Sequence, residues 1–254
     1  MDRITNIFAA RKPLVIFTSV GYPTEEQCEK AVCAAIDKGA DIIELGVPFS
    51  DPMADGPVIA AASQVALQGG MTLTKVIAFA ARIRARYPKV GLILFSYMNP
   101  LLHIGYETVC AQLAAAGVDG ILPVDLPLEE REELLAPARK HGLHIIPLVS
   151  PLTPEERVAK IVEGMTGFVY YINVAGVTGA RNKLPSDVAE HIAMIKRHTS
   201  LPVAAGFGIA SAEAAHAAAN AADGVISGSG FVKATSESVQ AAAEFTAELL
   251  RGIK

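Results

Sequence analysis

The chain lacks the features that would point to a membrane, a secretory route or a nucleic acid. Its 254 residues contain no uninterrupted apolar run close to the roughly 18–20 residues that cross a bilayer. The first residues, MDRITNIFAARKP, have no apolar stretch of the kind found in a secretory signal. The formal net charge is −4 and the basic residues form no block, which argues against nucleic acid as the main partner. We therefore expect a soluble cytoplasmic protein that binds neither membrane nor nucleic acid.

Cysteine is scarce as well. The three cysteines, Cys28, Cys33 and Cys110, are odd in number and form no CxxC motif. This pattern is typical of free thiols in a reducing compartment. The six histidines show no zinc-ligand spacing next to these cysteines, so the sequence predicts no metal site.

Apolar residues, in contrast, make up 51% of the chain, which is enough for a sizeable core. Short runs rich in Val, Ile or Leu alternate with longer helical patterns, as in parallel strands that are covered on both faces. The predicted strands are 13–20, 41–47, 90–98, 120–126, 144–150, 168–174, 202–208 and 223–229. Helices are predicted to start after the capping residues Thr24, Thr153 and Ser211 and to cover 72–86, 105–116, 128–141, 186–198 and 238–252.

Eight strands alternating with eight helices, without a linker, predict a single (β/α)8 TIM barrel over residues 1–254. The segment RITNIFAAR before the first strand predicts an extra N-terminal helix that closes the bottom of the barrel. The alternative fold is a doubly wound open sheet, which usually opens with GxGxxG after its first strand. Here that turn reads SVGYPTEEQ, so the barrel is favoured.

One predicted strand, DIIELGV, carries a carboxylate near its end. Side chains alternate along a strand, and Ile43, Leu45 and Val47 form an aliphatic face that should meet the helices. Glu44 is then turned toward the barrel axis, near the C-terminal mouth where such barrels hold their active sites. It could instead be a structural glutamate, but no predicted strand carries a Lys or Arg to pair with it. We interpret Glu44 as an acid–base group with a raised pKa.

The loops after the strands add further candidates. Asp51 and Asp55 follow Glu44 in a proline-rich loop; turn formation is the usual role of such residues, although Asp55 could fold back over the mouth. The late turns AGFGIAS and ISGSG suit a phosphate bound by backbone amides, unless these glycines simply end strands. The glycine-rich loop that begins at Asn173 suits either a lid over substrate or a surface connection.

Six motifs run in order across almost the whole chain, and together they closely resemble the tryptophan synthase alpha subunit family: ELGVPFSDPMADGP, SYMNP, VDLP, YYINVAGVTGAR, GFGI and SGSG. The resemblance implies a lyase of L-tryptophan biosynthesis that cleaves indole-3-glycerol phosphate to indole and glyceraldehyde 3-phosphate by a retro-aldol reaction. It implies Glu44 as the general acid–base, Asp55 as the acceptor of the indole N–H, and Tyr170 as a tyrosine near the acid.

The same resemblance implies the substrate contacts and the partner. Apolar walls for the indole are expected at Phe17, Leu122 and Phe207, a lid threonine at Thr178, and a phosphate site at Gly179, Gly208, Gly228 and Ser229. Pro48, Phe49 and Asp51 are expected to face a beta subunit, in an alpha2beta2 heterotetramer. Pyridoxal phosphate is expected only in that subunit, and no cofactor in this chain. A standalone lyase and a weakly catalytic allosteric partner are the alternatives.

The sequence departs from the family pattern at two places. Asn173 stands where a serine is expected before the lid, which puts the ordering of the lid in question. Gly230 and Phe231 replace the usual small and aliphatic pair after the phosphate turn, which puts the packing behind that turn in question.

Overall fold

A computed structural model describes residues 2–172, 187–206 and 208–253, and its centre is one continuous parallel sheet. Nine strand segments are hydrogen-bonded in the order β5-β4-β3-β2-β1-β9-β8-β7-β6. The segments are β1 (Leu14–Ser19), β2 (Ile42–Gly46), β3 (Gly91–Ser96), β4 (Gly120–Pro123), β5 (His144–Ile145), β6 (Leu148–Val149), β7 (Val169–Ile172), β8 (Val203–Gly206) and β9 (Gly224–Ser227). Each pairing is parallel, as the apolar runs predict.

The two ends of this order, β5 and β6, are consecutive pieces of one barrel strand. They are separated by Ile146 and Pro147, and proline has no N–H to donate. The Ile146 N–H still donates to the Ile121 carbonyl at 2.9 Å, and the Pro147 carbonyl still accepts from the Tyr170 N–H at 2.9 Å. The neighbouring strands β4 and β7 therefore stay hydrogen-bonded to this strand across residues 146–147. The sheet closes into an eight-stranded TIM barrel. This confirms the predicted fold.

Helices surround the sheet and connect its strands. Within the described residues they are α1 (Arg3–Ala10), α2 (Glu25–Lys38), α3 (Pro57–Gln68), α4 (Leu73–Arg86), α5 (Met98–Ile104), α6 (Tyr106–Ala115), α7 (Glu132–Lys140), α8 (Glu155–Val162), α9 (Val188–Lys196), α10 (Ala212–Ala221), α11 (Ser229–Glu237) and α12 (Val239–Ile253), with a 3₁₀ turn at Leu128–Glu130. Every helix in the described ranges is too short or too polar to span a bilayer.

The predicted caps are largely confirmed. The Thr24 and Ser211 side chains accept hydrogen bonds from the backbone N–H groups three residues later, at 3.2 Å each, and begin α2 and α10. The predicted cap at Thr153 is wrong by one residue. Pro154 holds the cap position of α8, while the Thr153 Oγ1 accepts from the Ser150 N–H at 3.1 Å.

The barrel has an outer and an inner core. The aliphatic face of β2, with Ile43 and Leu45, packs in the outer core with residues of the surrounding helices, as alternation predicts. The inner core contains the side chains that point toward the barrel axis: Val15, Ile42, Ile93, Leu122, Ile146, Phe168, Ala204 and Ile226. Ile4 of α1 is fully buried among them, and a Cβ built on Gly91 would lie 2.8 Å from its Cδ1. The N-terminal helix therefore closes the bottom of the barrel, as predicted, and leaves the C-terminal mouth open to loops.

Candidate active site

Glu44 is a buried carboxyl at the mouth of the barrel. It lies on β2 between Ile43 and Leu45, which face the helices, so its side chain points toward the axis. Its exposed fraction is 0%, and neither of its oxygens has a hydrogen-bond partner among the described residues. Burial raises the pKa of Glu44 to about 8, because a low-dielectric environment disfavours the charged form. Near neutral pH this carboxyl is therefore mostly a neutral acid.

Phe17 and Leu122 form apolar surface around Glu44. Phe17 is the register partner of Glu44 on β1, so both side chains lie on the same face of the sheet. The Phe17 ring covers Gly46, where a Cβ would be only 2.6 Å from its Cε2 and Cζ, and it packs edge-on against Phe95 with 4.8 Å between ring centroids. Leu122 is fully buried and is the register partner of Phe95. Phe17 therefore lies beside the acid, and Leu122 reaches the same apolar surface through Phe95.

Asp55 is held by a residue that the sequence reasoning did not single out, Tyr97. The Tyr97 hydroxyl donates to the Asp55 Oδ2 at 3.1 Å and accepts from the Ala54 backbone N–H at 2.9 Å. Burial raises the pKa of Asp55 to about 6, while the bond from Tyr97 works in the opposite direction. A signal was available, because Tyr97 belongs to the SYMNP motif at the C-terminal end of β3.

Tyr170 on β7 lies on the inner face of the barrel, where it packs against the inner core. Burial raises its pKa well above the usual value, and the charges of Glu44 and Asp55 raise that pKa further. A Cβ built on Gly206 of the neighbouring strand would lie 3.0 Å from the Tyr170 hydroxyl. The mouth therefore combines two carboxyls of different pKa with a phenol that stays protonated.

The glycine turns lie where an anion can reach backbone amides. Gly228 is the N-cap of α11 and follows β9, and no described side chain caps this helix. Ser229 is the first residue of α11, and Gly228 lies beside Phe17, with 3.5 Å between a built Cβ and the Phe17 Cβ. Gly208 adopts a φ of +66°, which favours glycine, and a Cβ there would meet nothing within 4 Å. A helix N-terminus and open backbone suit a phosphate group.

The departure at Gly230 and Phe231 is accommodated behind this turn. Phe231 is fully buried in the outer core. Gly230 leaves space for Phe245 of α12, since a Cβ there would lie 2.5 Å from the Phe245 Cζ. The absence of a side chain at Gly230 therefore leaves room for the Phe245 ring behind the turn.

The three residues predicted to face a partner differ in exposure. Asp51 is exposed and accepts from the Ser50 hydroxyl at 2.6 Å, whereas Pro48 is buried in the chain itself. Phe49 is half-buried and stacks on Tyr97, with 5.0 Å between centroids. Three large apolar side chains among the described residues are exposed at the same end of the barrel as Asp51. These are Met53 (85% exposed), Leu102 (59%) and Leu152 (83%), each in a segment that follows the C-terminal end of a strand.

Several predicted residues cannot be placed in this geometry. Asn173, Thr178, Gly179 and Phe207 lie outside the described residues, as does the whole of the predicted lid. Within the part of the chain that is described, no group of three or more His, Cys, Asp or Glu side chains could hold a metal ion.

Comparisons with known proteins agree with the motifs. A family model described as tryptophan synthase alpha chain matches residues 6–252. The tryptophan synthase alpha chain of Geobacter sulfurreducens is 45% identical over 238 residues, which is 92% of this chain and 90% of that protein. That of Laribacter hongkongensis is 42% identical and covers 100% of this chain and 98% of its own length.

Solved structures give the same result for the fold. A tryptophan synthase of Mycobacterium tuberculosis aligns with a TM-score of 0.93 at 36% identity, covering 99% of this chain and 98% of that chain. A tryptophan synthase alpha chain of Legionella pneumophila aligns with a TM-score of 0.90 at 32% identity, covering 100% of this chain and 97% of that chain.

Proposed function

Because the chain belongs to the tryptophan synthase alpha chain family, we propose that it cleaves indole-3-glycerol phosphate into indole and glyceraldehyde 3-phosphate. Membership makes it a lyase of that family with the alpha-subunit role in tryptophan biosynthesis. The observation that carries the specific reaction is the pair of carboxyls at the mouth. Burial gives Glu44 a pKa of about 8 and Asp55 a pKa of about 6, so between these values one is an acid and the other a carboxylate.

The bond to be broken joins C3 of the indole ring to the glycerol chain. An intact aromatic ring is a poor leaving group, so C3 must first receive a proton, and positive charge then develops at the ring nitrogen. Neutral Glu44 is the group that supplies this proton. Ionised Asp55 accepts the indole N–H and stabilises the positive charge, which grows in the transition state and is worth most in a buried site.

The second half of the reaction returns the proton to Glu44. As a carboxylate, Glu44 takes the proton from the glycerol hydroxyl next to the scissile bond. The electrons of that O–H bond form the aldehyde carbonyl, and the electrons of the broken C–C bond restore the indole ring. Glu44 ends the cycle protonated, and the net change is one substrate to two products without an oxidant or reductant.

The other residues bind the substrate in this scheme. Phe17 and Leu122 hold the indole ring, and Tyr170 lies beside both carboxyls as a protonated phenol. The phosphate is bound by backbone amides at Gly208, Gly228 and Ser229, where the α11 N-terminus favours negative charge. We propose the same roles that the resemblance implies for Phe207, Thr178 and Gly179.

We further propose that residues 1–254 act as one barrel domain that associates with a beta subunit in an alpha2beta2 heterotetramer. The exposed residues Asp51, Met53, Leu102 and Leu152 at the C-terminal end of the barrel supply polar and apolar surface for that contact. The cleavage needs only proton transfers between carboxyls and substrate, so this chain requires no cofactor, and pyridoxal phosphate belongs to the beta subunit.

The direct test is to incubate the purified chain with indole-3-glycerol phosphate, alone and with a beta subunit, and to measure both products. We expect indole and glyceraldehyde 3-phosphate in equal amounts and faster turnover with the partner. Full-speed turnover that ignores the partner would identify a standalone lyase. No indole above the protein-free blank in either mixture would contradict the proposed reaction.

A further inference from the structure

Tyr97 is the one described side chain that hydrogen-bonds to the Asp55 carboxyl. Asp55 belongs to the loop between β2 and α3, and a loop by itself gives its side chain several orientations. Tyr97 comes directly after β3 and is only 2% exposed, so its ring is fixed to the barrel wall. The ring is also covered by Phe49, which stacks on it with an interplanar angle of 27°.

The two bonds of the Tyr97 hydroxyl fix the direction in which it donates. The Ala54 backbone N–H can only donate, so the hydroxyl must use a lone pair to accept from it at 2.9 Å. The single phenolic proton is then left for the Asp55 Oδ2, at 3.1 Å. One hydroxyl thus holds two consecutive residues of the loop, the backbone of Ala54 and the carboxylate of Asp55.

We propose that Tyr97 is a positioning residue for the reaction proposed above, whose hydroxyl orients the Asp55 carboxylate toward the substrate and keeps it ionised. The inference rests on the proposed function for its catalytic consequence, but the link from Tyr97 to Asp55 is a property of the protein alone. A donated hydrogen bond stabilises the charged form of a carboxyl. It also leaves the second oxygen, Oδ1, for the indole N–H.

The other groups near Asp55 either disfavour its ionised form or affect it less than the Tyr97 hydroxyl does. Burial disfavours the carboxylate, and Glu44 stays neutral over most of the working range because burial raises its pKa to about 8. Tyr170 faces Asp55 from β7, and Asp125 is near Tyr97 and accepts from the Met98 N–H at 2.8 Å. Among the described residues no cation is bonded to Asp55, so the phenol is the group that favours its ionised form.

The test compares the wild-type chain with Tyr97→Phe, which keeps the ring and its stacking on Phe49 but removes the hydroxyl. The matched control is Tyr87→Phe, because the Tyr87 hydroxyl donates to a surface carboxylate, Asp37, at 2.9 Å and lies on another part of the barrel. The Asp55 carboxyl is titrated by NMR with 13C-labelled aspartate and assigned with Asp55→Asn. In parallel, kcat and KM for indole formation are measured against pH with the beta subunit present.

We expect Tyr97→Phe to raise the Asp55 pKa by about one unit, the shift that a lost charge-assisted hydrogen bond of ordinary strength produces. The acidic limb of the pH profile of kcat/KM should move to higher pH by the same amount. We expect kcat to fall by a larger factor than KM rises. Tyr87→Phe should move neither. Replacement of Tyr97 by 3-fluorotyrosine, a stronger donor in a ring of nearly the same size, should shift the Asp55 pKa downward, and it tests the link even where Tyr97→Phe folds poorly.

An Asp55 pKa that is unchanged in Tyr97→Phe, or moves in the same direction with both replacements, would overturn the role of Tyr97. The failure of the proposed function is a different result. In that case the wild-type chain makes no indole, while the NMR titration still reports whether the hydroxyl controls the Asp55 carboxyl.

Discussion

At the scale of single residues, the orientation of Glu44 follows from the alternation of side chains along a strand, whereas the orientation of Asp55 does not follow from any such rule. The alternation of side chains along β2 predicts that Glu44 faces the axis, and the barrel then buries it with no hydrogen-bond partner among the residues that the structure describes. Asp55 lies in a loop, where no periodicity applies. Its orientation depends on a contact with Tyr97, 42 positions away, which the sequence does not reveal.

The different burial of the two carboxyls predicts a bell-shaped pH dependence of kcat/KM. Activity should fall below about pH 6, where Asp55 becomes protonated and no longer stabilises charge at the indole nitrogen. It should fall again above about pH 8, where Glu44 loses the proton that it must donate. Steady-state indole formation between pH 5 and 10, with substrate well below KM, measures both limbs because kcat/KM reports the free enzyme. Activity that stays constant across pH 8 would contradict the role of Glu44 as a neutral acid.

At the scale of elements, the strands were predicted well and several helices were not. Every predicted strand is present because apolar runs between turn residues leave few alternatives. The helices α3, α5 and α11 were missed. Helix α3, PVIAAASQVALQ, begins at Pro57 without a side-chain cap and is apolar along most of its length, so its one start signal is the proline and it shows no clear amphipathic face. Helix α5 follows the strand run SYM without a break in the sequence, and α11 begins inside a glycine turn.

Contacts between helices are visible only in the structure, and Gly252 gives a test of one. In a free helix Gly→Ala is stabilising, by up to about 1 kcal/mol. A Cβ on Gly252 of α12, however, would lie 2.0 Å from the Ala212 carbonyl oxygen at the start of α10. Gly252→Ala should therefore destabilise the protein instead of stabilising it. We expect the free energy of unfolding to fall by about 1–3 kcal/mol, as it does when a core is overpacked.

The measurement for this contact is urea denaturation of Gly252→Ala beside a matched control, Gly69→Ala. Gly69 has a φ of −72°, and its nearest neighbours would be 3.3 and 3.6 Å from an added Cβ, so a change within about 0.5 kcal/mol is expected. Equal stability of the two variants would show that α12 does not dock on α10 as closely as described.

At the scale of the whole molecule, closure of the barrel is what assembles the site. The candidate residues come from β1, β2, β4, β7, the loop after β2 and the turns after β8 and β9, which are far apart in the sequence and meet only at one end of a closed sheet. The motif order in the sequence predicts this fold through family resemblance, and repetition of strands predicts it independently. Neither predicts which loop residues remain exposed, because that depends on how each loop packs on its neighbours.

The exposed face predicts where a partner binds. Met53 is 85% exposed in the loop that also carries Asp55, so Met53→Glu should weaken association with a beta subunit and leave the activity of the free chain unchanged. Analytical ultracentrifugation of the mixed subunits measures this. The control is Val65→Glu on α3, also exposed but on the side of the barrel. Undiminished association of Met53→Glu, or an equal loss with Val65→Glu, would contradict the placement of the interface.

The central claim is that neutral Glu44 transfers the proton that breaks the bond, and single-turnover cleavage by Glu44→Gln tests it most directly. The amide has the shape of the neutral acid and replaces a group without hydrogen-bond partners in the described residues, so the fold and substrate binding should be retained. We predict that indole formation from bound indole-3-glycerol phosphate falls by about 10²–10⁴-fold or more. Release of indole at the wild-type rate from Glu44→Gln, with the substrate shown to be bound, would contradict the account.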